Sequence, residues 1–226
     1  MGDADSLPGL VRGYADRVLR APQVGRRKVR IAQSGEMILK PGAAPRRFTA
    51  TEEFAVDRVA FAWRARFSLF GPLALQVTDS YDGNNGLLEV RVSVVPVQRK
   101  RGPELARGEA FRYLAEIAWV PHAILGNGEL EWRELDQHTI EVATTVVSDR
   151  ITVMLLFNEQ GEITQTVAER PRMEAGNAIT RWVGEYGDYR ELGGVLVPTR
   201  GEVRWELPEG PFTYWRGTIT SLEVCD

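Results

Sequence analysis

Asp79, Arg112, Glu116, His122 and Arg170 are the side chains in this sequence whose types and surroundings could do chemistry. Arg112 and Glu116 stand four residues apart in a stretch with helical spacing, so a guanidinium and a carboxylate share one face as an i,i+4 pair. Asp79 falls inside an otherwise apolar strand, where a carboxylate must face water or find a cation, and Arg112 and Arg170 are the natural partners. Asp79 and Asp82 flank Tyr81 and could together serve a cation, a metal or an arginine, although turn chemistry alone accounts for Asp82. Two readings stay open. An acid and a base drawn from Asp79, Glu116 or His122, with Arg112 stabilising an anion, would be the machinery of an enzyme. The same residues as hydrogen-bonded ion pairs would simply lock a helix to a sheet.

Several chemistries are excluded. The only histidines, His122 and His138, cannot supply a three-histidine zinc site, and no HExxH spacing occurs. The sequence has no P-loop, no GxGxxG following a strand and no GxSxG elbow. A single cysteine, Cys225, permits neither an intramolecular disulfide nor a thiolate metal cluster, and no cofactor is expected. His122 follows Pro121 at the end of a helical segment, where the helix dipole would favour its protonated form. His138 reads as a turn residue. A net charge of −3 gives no global field for nucleic acid. The short basic runs at 26–28, 46–47 and 99–101 read as solvated strand ends, as guards on exposed sheet edges or as contacts for an anionic surface.

These residues need elements to hold them. With 226 residues, 43% apolar and 26% charged, the chain can bury about 70% of its extended surface. Leu7, Leu10, Val11, Tyr14, Val18 and Leu19 recur mostly every three or four residues, predicting an amphipathic helix over 6–21 with Ser6 as N-cap and Pro22 and Gly25 beyond its end. The chain then changes to short runs rich in β-branched and aromatic residues. Strands are expected at 28–33, 36–40, 47–55, 59–67, 73–81 and 87–97, and again from 130 to 224. In residues 61–67, Phe61, Trp63, Ala65 and Phe67 share one face and Arg64 and Arg66 the other. The Asp82-Gly83-Asn84-Asn85-Gly86 and Asn158-Glu159-Gln160-Gly161 stretches predict hairpin turns. Between the two strand regions the period returns to helical over 104–125, with Pro121 expected to end or kink that helix. No repeat or long linker interrupts the pattern. One domain over 1–226 is expected, α+β but mostly β: a strongly curved antiparallel sheet over 27–224 wrapped around the internal helix.

The run Arg112-Tyr113-Leu114-Ala115-Glu116-Ile117-Ala118-Trp119-Val120-Pro121 resembles a motif of a bacterial family of unknown function. Phe61 to Ala65, Asp79-Ser80-Tyr81 with Gly83 and Gly86, and Trp132, Phe157, Gly161, Arg170, Trp182, Tyr189, Gly194 and Pro198 are similar to that family's pattern as well, so the likeness extends from about Phe48 to Val224. The resemblance implies a fold like that of the LolA and LolB lipoprotein-localisation factors, a half-barrel closed over helices around an apolar cavity. His122 departs from it, since a small or hydroxyl residue is expected there. Some family members carry membrane segments. Here no stretch approaches the roughly 20 apolar residues of a spanning helix, and Met1 to Arg20 lacks the pattern of a secretory signal. A soluble chain, cytoplasmic by default, is the expectation, with no nucleic-acid partner. The leading functional expectation is a non-enzymatic module holding a lipid or other apolar molecule, with Arg112, Glu116, Trp119, Trp63, Asp79, Trp132 and Arg170 at the ligand; a partner-binding structural protein is a further alternative. Of the six tryptophans, Trp182, Trp205 and Trp215 also fall on strands, and each could fill the core or line a cavity.

Overall fold

The structure is a computed structural model that describes residues 7–20, 27–68 and 73–225. Its thirteen strands form one antiparallel sheet, in the order β6-β5-β4-β3-β2-β1-β13-β12-β11-β10-β9-β8-β7. The first meander comprises β1 (Lys28–Met37), β2 (Arg46–Ala55), β3 (Phe61–Ser68), β4 (Ala74–Tyr81), β5 (Gly86–Val92) and β6 (Val95–Gly102). The second comprises β7 (Glu131–Asp136), β8 (Thr139–Val146), β9 (Asp149–Phe157), β10 (Ile163–Arg172), β11 (Ala178–Leu192), β12 (Val195–Leu207) and β13 (Gly210–Cys225). β1 and β13 pair at the centre, from Lys28 opposite Cys225 to Met37 opposite Trp215, which joins the two meanders. Their free edges, β6 and β7, are bridged by a helical crossover: α2 (Pro103–Ala115), a 3-10 turn (Glu116–Trp119) and α3 (His122–Gly126).

That connection explains the curvature. α2 packs against β4, β5 and β6 of one meander and β8, β9 and β10 of the other. In the sheet order β5 and β9 lie nine strand spacings apart, about 43 Å if the sheet were flat, whereas a helix with side chains is about 10–12 Å across. The sheet must therefore curl around α2, and it does so without closing, since β6 and β7 remain unpaired with each other. A helix enclosed in this way needs apolar residues nearly all round. Leu105, Ala106, Ala110, Phe111, Tyr113, Leu114 and Ala115 are buried, and so is Glu109. Gly102, at φ +142°, turns the chain out of β6, and Pro103 starts the helix where its missing N–H costs nothing.

Ring donors pin the crossover to both meanders. The Tyr113 hydroxyl donates to Ala55 O of β2 at 2.8 Å, Tyr186 on β11 donates to Ala115 O at 2.8 Å, and Trp119 Nε1 donates to Pro198 O of β12 at 3.0 Å. Ala115 O lies where α2 passes into the 3-10 turn, so the Tyr186 bond fixes that junction to β11. Glycines make the room for these rings. Gly35, Gly217 and Gly201 stand opposite one another on β1, β13 and β12. A Cβ at Gly201 would lie 2.9 Å from the Trp119 ring and 3.1 Å from that of Trp215.

Several local expectations differ from the fold. α1 spans Gly9–Val18, shorter than 6–21, and packs on α3 and β12; Ser6, Pro22, Gly25 and Arg26 lie outside the described residues. The segments at 28–33 and 36–40 form one strand, continuous past an irregularity at Ala32/Gln33 in its pairing with β13. The expected strand over 87–97 is a hairpin, β5–β6, because Ser93 takes φ +54° and reverses the chain where no glycine marks a turn. The helix over 104–125 is three pieces. α2 tightens into the 3-10 turn at Glu116, and Pro121 ends one segment and opens the next. His122 is thus the first residue of α3 and buried, where a trailing helix end was expected. The Asp82 turn matches its reading: Asp82 Oδ1 accepts the Asn84 and Asn85 amides at 2.8 and 2.7 Å, which holds its carboxyl below the usual range. His138 sits in the β7–β8 turn, its amide donating to Asp136 Oδ1 at 2.8 Å.

Candidate functional site

Register assembles the polar site. Glu52 on β2 stands opposite Trp63 on β3, and Trp63 opposite Asp79 on β4, so the three form a row across adjacent strands. Period-2 alternation puts Glu52 on the face of Phe48, Ala50 and Phe54, all buried, and Glu52 is itself 0% exposed. Over this row α2 lays Arg112. Its Nη2 donates to Glu52 Oε1 at 2.7 Å, Nη1 to Asp79 Oδ2 at 2.9 Å and Nε to Glu116 Oε1 at 2.9 Å. The guanidinium lies over Phe61 and Trp63, 4.9 and 5.1 Å from the ring centroids. The second oxygen of Glu52 accepts from Gln33 Nε2 at 2.8 Å, and Gln33 Oε1 accepts from Trp63 Nε1 at 2.8 Å. One guanidinium thereby ties α2 to β2 and β4, and through Gln33 to β1.

Three carboxyls near Arg112 are held in an unusual state. Burial first, then the charge of Glu116, pushes the Glu52 carboxyl well above the ordinary range, against the pull of Arg112. Burial and the Asp79 charge do the same to Glu109, and burial raises Glu116 more modestly. Burial opposes the charge on Arg112, but Glu116, Glu52, Asp79 and Glu109 outweigh it and keep the guanidinium firmly protonated. Repulsion among these neighbouring acids thus adds to burial in raising Glu52 and Glu109, and Arg112 opposes both.

A cleft of about 400 Å³ opens beside this network. Leu105, Gly108 and Glu109 of α2, Asp79 and Leu88 of β4 and β5, and Arg170 and Arg172 of β10 contribute to its wall, with Ile38, Met173, Trp205 and Phe212. Arg170 is caged by aromatic rings, 4.9 Å from the Trp182 centroid, 5.3 Å from Phe111 and 5.7 Å from Trp205. Its Nη2 donates to Gly108 O at 2.9 Å, a close approach that a side chain at Gly108 would obstruct. Burial lowers the Arg170 pKa, with Tyr214, Glu109 and Asp79 acting in opposition.

Of the residues expected at a ligand, Asp79 and Arg170 line the cleft. Arg112, Glu116 and Trp63 form the network behind it, and Trp119 lies in the core, stacked edge-on against Tyr186 at 5.3 Å and tilted against Trp215 at 5.9 Å. Trp132 is half-buried on the edge strand β7, paired with Val142 and away from the cleft wall. Trp182 and Trp215 are buried, and Trp205 faces the cleft. Glu52, Gln33 and Glu109 were not singled out from the sequence. A signal was present: Glu52 shares parity with inward-facing Phe48 and Phe54, and Glu109 lies three residues before Arg112 on α2. Among the described residues no helix is long and apolar enough to cross a membrane, and no group of acidic, histidine or cysteine side chains could hold a metal ion.

Solved structures with the same fold share little sequence with this chain. A LolA superfamily protein from Nitrosomonas europaea superposes with a TM-score of 0.51 at 12% identity, over 96% of this chain and 92% of its own. A domain from Vibrio parahaemolyticus assigned to outer membrane lipoprotein sorting gives 0.50 at 8% identity, over 98% of this chain and 93% of its own. At these identities the likeness is one of fold, and it agrees with the LolA-like half-barrel expected from the sequence. No curated protein matches the chain. A family profile matches residues 1–217, and by that match the chain belongs to a family of unknown function, DUF6544.

Proposed function

We propose that this protein is a binding module that holds a lipid or similar apolar molecule in the cleft between α2 and the β10–β13 side of the sheet. The observation that carries the reading is the cleft itself: about 400 Å³, walled by Ile38, Leu88, Leu105, Met173, Trp205 and Phe212, within the roughly 300–1,000 Å³ of small-ligand sites. The LolA-like fold supports it, one of its neighbours being assigned to lipoprotein sorting. Binding is favoured over acid–base catalysis because Arg112 directs its donors to Glu52, Asp79 and Glu116 within the protein, and Glu116 does not reach the cleft wall. In this reading the Arg112 network stiffens the wall, while Asp79 and Arg170 meet the ligand.

The test is native mass spectrometry of the purified chain beside its denatured mass, followed by displacement of a neutral fluorescent apolar probe. A copurified mass lost on denaturation, or saturable probe binding weakened at least about fivefold by Trp205→Ala, supports the reading. A clean mass together with no probe binding by the folded wild-type chain overturns it.

A further inference from the structure

We infer that the cleft selects a single-tailed amphiphile with an acidic headgroup, Arg170 and Arg172 forming its anion subsite. The inference rests on the cleft being an apolar-ligand site and adds the chemistry of the head. Arg170 and Arg172 are two residues apart on β10, so they share a face, and both line the cleft. Each has a buried Nε that makes no hydrogen bond. Among the described residues Arg170 has no carboxylate partner; of its five N–H donors, Nη2 alone is engaged, on Gly108 O. Arg172 approaches Glu174 only at 3.9 Å, and that carboxylate is 69% exposed. Trp205 lies beneath both guanidiniums, 5.7 and 6.0 Å from centroid to Cζ.

The other charged groups of the wall are already committed or peripheral. Arg107 pairs with Asp149, and Asp79 with Arg112. Glu109 is buried beside Asp79, while Glu104 and Glu174 are exposed. A caged, desolvated guanidinium with spare donors is a pre-ordered receptor for a carboxylate or phosphate, because the planar fork needs no rearrangement to accept two oxygens. The apolar wall then takes the tail. A volume near the small end of the ligand-site range suits one chain rather than several.

Isothermal titration calorimetry of the full chain with dodecanoate, dodecyl phosphate and dodecanol, each kept monomeric, separates the possibilities. At least one anion is expected to bind about tenfold or more tightly than dodecanol, and the better anion identifies the headgroup. Arg170→Gln is expected to remove that advantage while leaving dodecanol affinity within about twofold. Arg172→Gln, nearer the solvent, is expected to reduce it several-fold and serves if Arg170→Gln does not fold. Equal affinity of the wild type for all three overturns the acid-headgroup inference and leaves the apolar-ligand reading standing. No binding of any of the three overturns the headgroup inference, and the neutral-probe result then decides the broader reading separately.

Discussion

Replacing Arg112 by methionine keeps much of the side-chain volume and deletes the guanidinium donors that tie α2 to Glu52 and Asp79 of the sheet. Three acceptors lose their cation: Glu52, 0% exposed, Glu116 at 13% and Asp79 at 18%. Charge-assisted hydrogen bonds contribute about 1.5–3 kcal/mol each, so simple addition would give about 4.5–9 kcal/mol, a large part of the roughly 5–15 kcal/mol by which a folded protein is stable. The loss is smaller because Glu52 and Glu116, already pushed up by burial, take up protons rather than remain charged without a partner. Removing one member of a buried pair costs about 3–5 kcal/mol, which for a chain of this length lowers the melting temperature by about 6–20 °C. The sign with pH follows from linkage. A carboxyl whose folded pKa is raised contributes stability in full below its unfolded value, and loses it as pH climbs through the folded value. Arg112→Met raises those folded values further. The deficit relative to wild type therefore grows with pH above the ordinary carboxylate range, by up to about 1.4 kcal/mol per pH unit for each carboxyl that is protonated in the folded variant but ionised in the folded wild type. Urea and thermal unfolding, followed by tryptophan fluorescence at pH 5, 7 and 9, measure it. A loss under about 1 kcal/mol, or one unchanged from pH 5 to 9, would refute the argument that Arg112 neutralises buried carboxyls.

Gly201→Ala should destabilise by about 1–3 kcal/mol through overpacking, since its Cβ would press on the rings of Trp119 and Trp215; an unchanged thermal melt would mean those rings can shift freely. β6 is an exposed edge carrying Arg99, Lys100 and Arg101, with Pro96 also on it, so replacing the three basic residues by threonine should promote self-association, seen as a concentration-dependent rise in light scattering that the wild type lacks. In the wild type, the raised carboxyls of Glu52, Glu109 and Glu116 should make stability fall as pH rises above about 5, and a flat urea midpoint from pH 5 to 9 would contradict that upward displacement.

Much of this architecture was legible along the chain because its cues are local. Alternation in 61–67 marks a half-buried strand, the Asp82 turn carries its own hydrogen bonds, and Pro121 breaks the crossover helix. The errors were local too. Ser93 reverses the chain without a glycine, so a hairpin read as one strand, and the 28–40 region read as two. The site was legible only in part. Arg112, Glu116 and Asp79 were named, whereas Glu52, which accepts the 2.7 Å bond from Arg112, lies 60 residues away and was not singled out.

By itself the sequence determined the antiparallel, mostly β character of the chain, the helical crossover between two strand regions and, with two histidines and one cysteine, that the chain cannot supply a three-histidine site or a thiolate cluster. Periodicity, turn residues and residue counts are properties of neighbours in the chain and need no tertiary information. Tertiary structure decided which acids meet Arg112, that Arg170 forms no ion pair with a carboxylate among the described residues, and that Trp205 faces the cleft. Those outcomes depend on strand register and on the sheet's curl around α2, which place Glu52, Trp63 and Asp79 in one row and set Arg170 among three rings. A shift of one residue in register would turn the same side chains to the opposite face, so their meeting is decided by the packing of the whole sheet.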